Sequence, residues 1–401
     1  MAAAARKSAM SAVPPNVYAR VARIPGEQPA TPAAPAPQSR PEADELTILT
    51  GGQRLAGWTA LRVDRGVEML PSSFAVELTE RYPGEARQAV VTPGSTCQVY
   101  LGKDLILTGF IDLYWPHQDA TAHVVSIQGR SKTEDLVDCS LAEPTVPPWV
   151  MQTATFGEAA KKVSQPFGIE VALPDGDFPW GNQVQAFVIQ PGETCGQLLE
   201  ELSRAAQALL WDDAQGRLVL SKVGAKRAAG SLIEGQNCEV AEVRLSMDQR
   251  YSIVEVLSQA PQNVPGQPLH LAPLATQKDL DVPRYRPLVV IMDNMGPDWS
   301  WPQRRAEWEV ARRYGRSRLV EVQVTGWRGA SGELWQPNTL AAVSLPSLKM
   351  AQDLVIAHCS WQRAERLGTV TMLTLMPPEG LTPAPFFPTP PIPGYQPQGA
   401  G

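Results

Sequence analysis

Histidine is scarce in this chain: only His117, His123, His270 and His358 occur in 401 residues, which leaves little material for a histidine-based metal or acid–base site. Cysteine is nearly as sparse. Cys97, Cys139, Cys195, Cys238 and Cys359 are odd in number, widely spaced and form no C-x-x-C pair, a pattern of reduced, buried thiols in a chain folded in a cytoplasm. No run of eighteen apolar residues occurs, so no transmembrane helix is expected. Arg6 and Lys7 are followed by Ala- and Pro-rich sequence instead of an apolar stretch, so a signal peptide is not expected either. Positive charge is also short. The formal net charge of -6 argues against a protein whose task is to grip nucleic acid through phosphates. The chain has no G-x-S-x-G elbow, H-E-x-x-H pair, Walker A loop or Rossmann fingerprint. No catalytic, cofactor-binding or metal-ligating residue is therefore nominated, no cofactor is expected, and the chain reads as a non-enzyme.

What is present is proline at the ends and alternation between them. Residues 1–44 carry Pro14, Pro15, Pro25, Pro29, Pro32, Pro35, Pro37 and Pro41, which prevent a continuous helix or sheet, so this is an extended arm that gains order only from a partner. From Glu45 the pattern becomes short strands. Leu46–Leu49 runs into Gly51-Gly52, Ala60–Arg65 and Ser73–Thr79 alternate, and Gln98–Leu101 and Leu105–Asp112 flank the turn Gly102-Lys103-Asp104. Such spacing points to an antiparallel barrel or sandwich over residues 45–130.

The strand Thr121–Gln128 stops at Gly129, and Ser131 with Glu134 carries a capping-box signal for the next helix. Gly129–Ser140 resembles the strand-to-helix junction of the baseplate hub proteins of Mu-like contractile-tailed bacteriophages. Gly52-Gln53-Arg54, Gly57-Trp58-Thr59 and Thr108–Asp112 resemble that family's first barrel.

A mixed α/β region follows over residues 131–237. Thr155 and Glu158 form a second box, after which Phe156, Ala159, Ala160, Val163 and Phe167 share a helical face. Thr194 and Gln197 open a helix with the stripe Cys195, Leu198, Leu199, Leu202, Ala205, Ala206 and Leu209. A hairpin through Asp212–Gly216 comes next, and this helix-then-hairpin, Leu198–Ser221, also resembles the hub family. The region 238–376 is again strand-rich, with a Pro- and Gln-rich loop over 260–284. It also holds one helix near Trp301, capped by Ser300, with Ala306, Val310, Ala311 and Tyr314 inside and Gly315 at its end. Gly326-Trp327-Arg328 with Gly332–Asn338 is the third resembling stretch. From Pro377 the chain is Pro-rich and reads as an extended tail.

Polar residues that could carry chemistry have plainer readings. His123 sits within a strand; Asp212-Asp213 reads as a turn, and Glu200-Glu201 as a solvated helix face. Arg304, Arg305, Arg312 and Arg313 alternate with Glu307 and Glu309, so the helix pairs charge along itself and favours a solvated or subunit-facing surface over DNA. Trp327 and Trp335 read as core, with an interface anchor as the alternative.

The residue pattern gives an α+β, mainly antiparallel β chain, and the resemblance adds two β-barrel-like domains flanking the mixed α/β region. The resemblance also implies a homotrimer at the centre of a virion's tail baseplate, between the sixfold tail tube protein and the threefold central spike protein. Other baseplate proteins would surround it, DNA would pass through without specific binding, and assembly would take place in the host cytoplasm. The competing class is a tail-associated module that binds or cuts cell-wall glycan.

Overall fold

The computed structural model describes residues 45–79, 91–118, 123–142, 150–179, 185–190, 192–224, 226–258, 273–292 and 300–384. The N-terminal arm, His270, most of the 260–284 loop and the tail beyond Ala384 lie outside these.

The first block is β throughout: β1 (Leu46–Thr50), β2 (Gln53–Leu55), β3 (Ala60–Gly66), β4 (Ser73–Thr79), β5 (Thr96–Leu101), β6 (Asp104–Gln118) and β7 (His123–Ser131). The turn between β1 and β2 is Gly51-Gly52, both at positive φ, the backbone that a tight hairpin asks of glycine. The middle block comprises α1 (Glu134–Asp138), β8 (Val150–Thr153), α2 (Phe156–Ser164), β9 (Val171–Ala172), β10 (Gln185–Val188), α3 (Cys195–Ala206), β11 (Leu209–Asp212) and β12 (Leu218–Ser221). The third block holds β13 (Lys226–Arg227), β14 (Leu232–Ile233), β15 (Cys238–Leu245), β16 (Ile253–Ser258), β17 (Pro273–Lys278) and β18 (Pro287–Met292). It continues with α4 (Ser300–Arg316), β19 (Arg318–Thr325), β20 (Thr339–Leu345), β21 (Met350–Ala364) and β22 (Gly368–Met376).

Fourteen strands of the first and third blocks form one sheet, in the order β15-β19-β22-β21-β3-β4-β7-β6-β5-β1-β2, with β20 pairing β21 and carrying β13 and β14. The pairing is antiparallel except for β13 and β14 on β20. The join is β21. Its first half pairs β20 (Leu340↔Val355 to Leu345↔Met350) and its second half pairs β3 (His358↔Gly66 to Ala364↔Ala60). The handover falls at a register shift between Ile356 and His358 against β22, where an irregular step bends a strand locally. One apolar cluster spans both blocks, Val63, Phe74 and Ile127 packing with Trp327, Trp335 and Trp361.

Mainly antiparallel β with a few helices is therefore the fold class. The sheet is open, and no closed barrel is present among the described residues. Local alternation gives each strand its inward face but leaves its edge partner unspecified, so the β3–β21 pairing between distant segments is invisible in the sequence.

The middle block has its own core. Phe156, Ala159, Ala160 and Val163 of α2 meet Leu198, Leu199 and Leu202 of α3, as their helical spacing requires. The box at Thr194 and Gln197 is complete, with side chain to backbone bonds of 3.2 and 3.0 Å in the two directions. At α2 the box is half made: Thr155 accepts from the Glu158 amide at 3.1 Å, while Glu158 accepts from the Ala154 amide.

Five sequence readings change. β7 does not stop at Gly129 but runs through it to Ser131, with Gly129 paired to Phe74 and Ile111. Ser131 does not cap α1, which starts after Thr133 without a side-chain cap. Residues 273–278 of the expected loop are β17, paired with β16 and covered by α4 through Val256, Ala275 and Ala306. Glu309 lies inside the α4 face, because Arg305 and Arg313 neutralise it at 2.8 and 3.1 Å. Gly315 stays within α4 rather than ending it. A Cβ there would meet the Gly380 amide nitrogen at 2.2 Å, so it marks a close approach of two backbones.

Candidate functional site

The junction after β7 is where the middle block is fastened to the sheet, and the fastening is a buried carboxylate. Asp212, at the end of β11, is completely buried. Its Oδ2 accepts from the Ser72 amide at 3.0 Å, from Thr133 Oγ1 at 3.0 Å and from Ser131 Oγ; its Oδ1 accepts from Ser72 Oγ at 2.5 Å. The donors come from two distant stretches of chain, Ser72 entering β4 and Ser131 and Thr133 leaving β7. A buried carboxylate is tolerable when its lone pairs are filled this way.

Arg65 of β3 supplies the opposite charge from 3% exposure. Its Nη2 donates to the Asp212 backbone carbonyl at 3.2 Å and its Nη1 reaches Gln336 Oε1 at 3.4 Å. Burial pulls the guanidinium below the usual arginine range, and the Asp212 charge opposes that pull. First, middle and third blocks thus converge on one polar joint. Asp213 does the work assigned to the pair in the turn, accepting from the Gln215 and Arg217 amides at 3.0 Å each.

A second cluster sits on the exposed side of the same junction. Arg130 Nε meets Asp112 at 2.7 Å and Glu134 at 3.2 Å, and its Nη2 meets Asp138 at 2.9 Å. A cavity of about 330 Å³ lined by Gly94, Phe110, Ile111, Asp112, Glu134 and Asp135 opens beside it. Burial raises Glu134 to about 7, Asp112 pushes the same way, and Arg130 opposes both.

The sign follows. A carboxyl raised by folding is proton-loaded in the folded state, so its contribution is fully present below the ordinary carboxylate pKa and is lost as pH rises through about 7. The thermal midpoint is expected to fall between pH 5 and pH 8. Glu134→Gln, which cannot ionise, should remove part of that fall in a calorimetric pH series. An unchanged slope in the variant would remove Glu134 as its source.

Other residues singled out by sequence are structural in their surroundings. His358 lies 3.4 Å from Asp64 with its pKa lowered by burial, and the ring of exposed His117 lies tilted to that of Trp115 with centroids 6.5 Å apart. The His123 side chain is outside the described residues. Trp327 and Trp335 are buried core. Arg312 and Arg316 pair with Glu68, and Arg304 lies over the Trp301 ring at 5.7 Å. Among the described residues no group of His, Cys, Asp or Glu is arranged to hold a metal ion. Sequence reasoning missed the Asp212 joint. Its only local sign is an acid closing a strand where the alternation calls for a side chain that turns inward.

An open antiparallel sheet with an inserted α/β block is a fold shared with tail proteins of known structure. The family of Mu phage baseplate assembly protein GpP-like N-terminal domains matches residues 45–131, baseplate hub protein gp44-like second domains match 133–222, and Mu phage GpP fourth domains match 300–384. Baseplate hub protein gp44 of Escherichia phage Mu is 27% identical over 344 residues, 84% of this chain and 89% of that one. The 43 kDa tail protein of prophage MuSo2 from Shewanella oneidensis is 29% identical with a TM-score of 0.73, over 85% of this chain and all of that one. A tail protein from Neisseria meningitidis MC58 shares the fold at 20% identity and a TM-score of 0.68, over 83% of this chain and 96% of that one. The chain belongs to the Mu-like phage baseplate hub proteins.

Proposed function

We propose that the chain is the structural hub of a contractile-tail baseplate, working without a catalytic centre. The observation that carries this reading is the succession of three Mu baseplate family matches over residues 45–131, 133–222 and 300–384, in one continuous fold. Its place is the virion's tail baseplate, in contact with other baseplate and tail components.

In this reading three copies form a ring. Residues 45–130 and 238–376, the two halves of the forked sheet, act as barrel-like lobes, and residues 131–237 form the block between them. Six lobes then face a sixfold tube on one side while the threefold ring meets the spike on the other. The arm (1–44) and the tail (377–401) are counted with neither lobe, and assembly takes place in the host cytoplasm. The net charge of -6 suits a channel that DNA crosses with few phosphate contacts. Acid–base chemistry at Asp112 and Glu134 is disfavoured because Arg130 bridges both carboxylates.

Light scattering on the purified chain tests the ring. The expected mass is about three times the 43.5 kDa of one chain. A chain that stays at the single-copy mass even with tube and spike proteins present contradicts the trimer.

A further inference from the structure

The two halves of the sheet repeat one plan. β6 and β21 are each 15 residues long, and each bulges near its middle against the strand that follows it, between Ile111 and Leu113 on β7 and between Ile356 and His358 on β22. Matching the bulges lays Ile111, Tyr114 and Pro116 on Ile356, Cys359 and Trp361. The neighbouring strands then fall into the same order, β7-β4-β3 in one half and β22-β19-β15 in the other. The registers agree as well. Phe74 pairs Gly129 on one side and Val63 on the other, as Val320 pairs Leu375 and Val243. β15 is thus the counterpart of β3, with Ala241 and Val243 packed on the core where Leu61 and Val63 stand.

The halves differ in one respect. β3 pairs the second half of β21, from His358 to Ala364. The second half of β6 pairs only β7, because β5 ends opposite Phe110, and β15 pairs only β19 apart from a single bridge at Cys238. Among the described residues, then, neither outer edge carries the strand that its counterpart has. Edges of this kind are templates for another chain. Both carry large apolar side chains in water: Leu113 and Trp115 on β6 are 40% and 58% exposed, and Val240 and Leu245 on β15 are 58% and 57% exposed.

We propose that β15 of one copy pairs antiparallel with the second half of β6 of the next copy, as β3 pairs β21 within a copy. The two edges are different surfaces of the chain, so the contact is head-to-tail and closes into a ring. It deepens the hub reading and rests on that reading's ring of three copies. The register of β3 on β21, with Val63, Asp64 and Arg62 opposite Trp361, Ser360 and Gln362, carries over directly. It sets Val243 opposite Pro116, Arg244 opposite Trp115 and Glu242 opposite His117. The pairs match in chemistry, since a guanidinium lies well over an indole and a carboxylate accepts from an imidazole N–H. Arg244 and Glu242 pair with each other at 3.2 Å within the chain, but both are exposed, so redirecting them costs little. Pro116 withholds at most one donor from the new ladder.

Disulfide trapping on the full chain tests this. Trp115→Cys and Arg244→Cys are placed on separate copies and co-expressed, so that a 115–244 link identified by peptide mass spectrometry joins two copies. The link is expected on mild oxidation, because directly opposed residues bring their Cα atoms to about 4.5–5.5 Å, within disulfide reach. Leu113→Cys with Glu242→Cys, four residues out of step in this register and hence roughly 13 Å apart, should link at least about tenfold less. Light scattering on the parent chain separates the pairing from the ring. A parent of three-copy mass with no 115–244 link, or with equal linking of the displaced pair, overturns the pairing and leaves the ring standing. A parent of single-copy mass overturns both.

Discussion

Asp212→Ala is expected to lower stability by about 3–5 kcal/mol, a loss that drops the thermal midpoint of a chain this long by roughly 4–6 °C. Removing the carboxylate leaves the Ser72 amide and the Ser72, Ser131 and Thr133 hydroxyls without their acceptor in a site closed to water. It also removes the larger of the two acidic charges that oppose the burial of Arg65, leaving Asp213 as the remaining one. Two further variants separate the parts. Ser131→Ala removes one donor and should cost about 1 kcal/mol. Asp212→Asn keeps the shape and cancels the charge, so it reports the Arg65 term. The measurement is calorimetry on each variant and on Arg65→Met/Asp212→Asn, whose loss should be smaller than the sum of the two single losses. An alanine variant within about 1 kcal/mol of the parent would mean that the joint is not what holds the middle block to the sheet.

Gly109→Ala is expected to be at least as damaging, through backbone rather than charge. Gly109 pairs with Ser131 across β6 and β7, and a Cβ at Gly109 would lie 1.8 Å from the Arg130 carbonyl oxygen and 2.6 Å from the Ser131 Cα. Neither atom is the end of a flexible side chain, so the strands themselves must part. They cannot part cheaply: Thr108, next in line, holds the β11–β12 turn through its hydroxyl to the Ala214 carbonyl at 2.9 Å and accepts the Lys132 amide at 3.1 Å. Overpacking on this scale exceeds the usual 1–3 kcal/mol because the obstacle is main chain. The expected result is loss of soluble protein, or a midpoint more than about 5 °C lower in a thermal melt. A soluble variant melting within a few degrees of the parent would show that β6 and β7 separate here without cost.

These two residues show how legibility divides. Gly109 sits in Thr108–Asp112, one of the stretches whose resemblance to the hub family is visible by eye, and the clash supplies a physical reason for glycine there. The helices were equally open to reading. Thr194 and Gln197 announce α3, and Leu198, Leu199 and Leu202 point into one core, because capping and a 3.6-residue period are local rules.

In sequence Asp212-Asp213 reads as a turn, which holds for Asp213; the four donors that explain Asp212 come from Ser72, Ser131 and Thr133, far away along the chain. Ser131, three residues before Glu134, reads as a helix cap by an equally local rule. Its hydroxyl has a nearby amide in sequence and a buried carboxylate in space, and the carboxylate takes it. Glu309 follows the same logic: charge suggested the outside of α4, and two arginines at four-residue spacing brought it in. The joining of two strand-rich regions through β3 and β21 belongs to this class too, since period-two patterning carries no address for the partner strand.

A baseplate hub sits on the axis of the tail. The direct measurement is electron microscopy of the assembled particle with a label fused to this chain. Density from the label at the baseplate end, on the axis and in threefold arrangement, is the expected result. Label along the tube, at a peripheral fibre or on isolated peptidoglycan instead of the particle would contradict it.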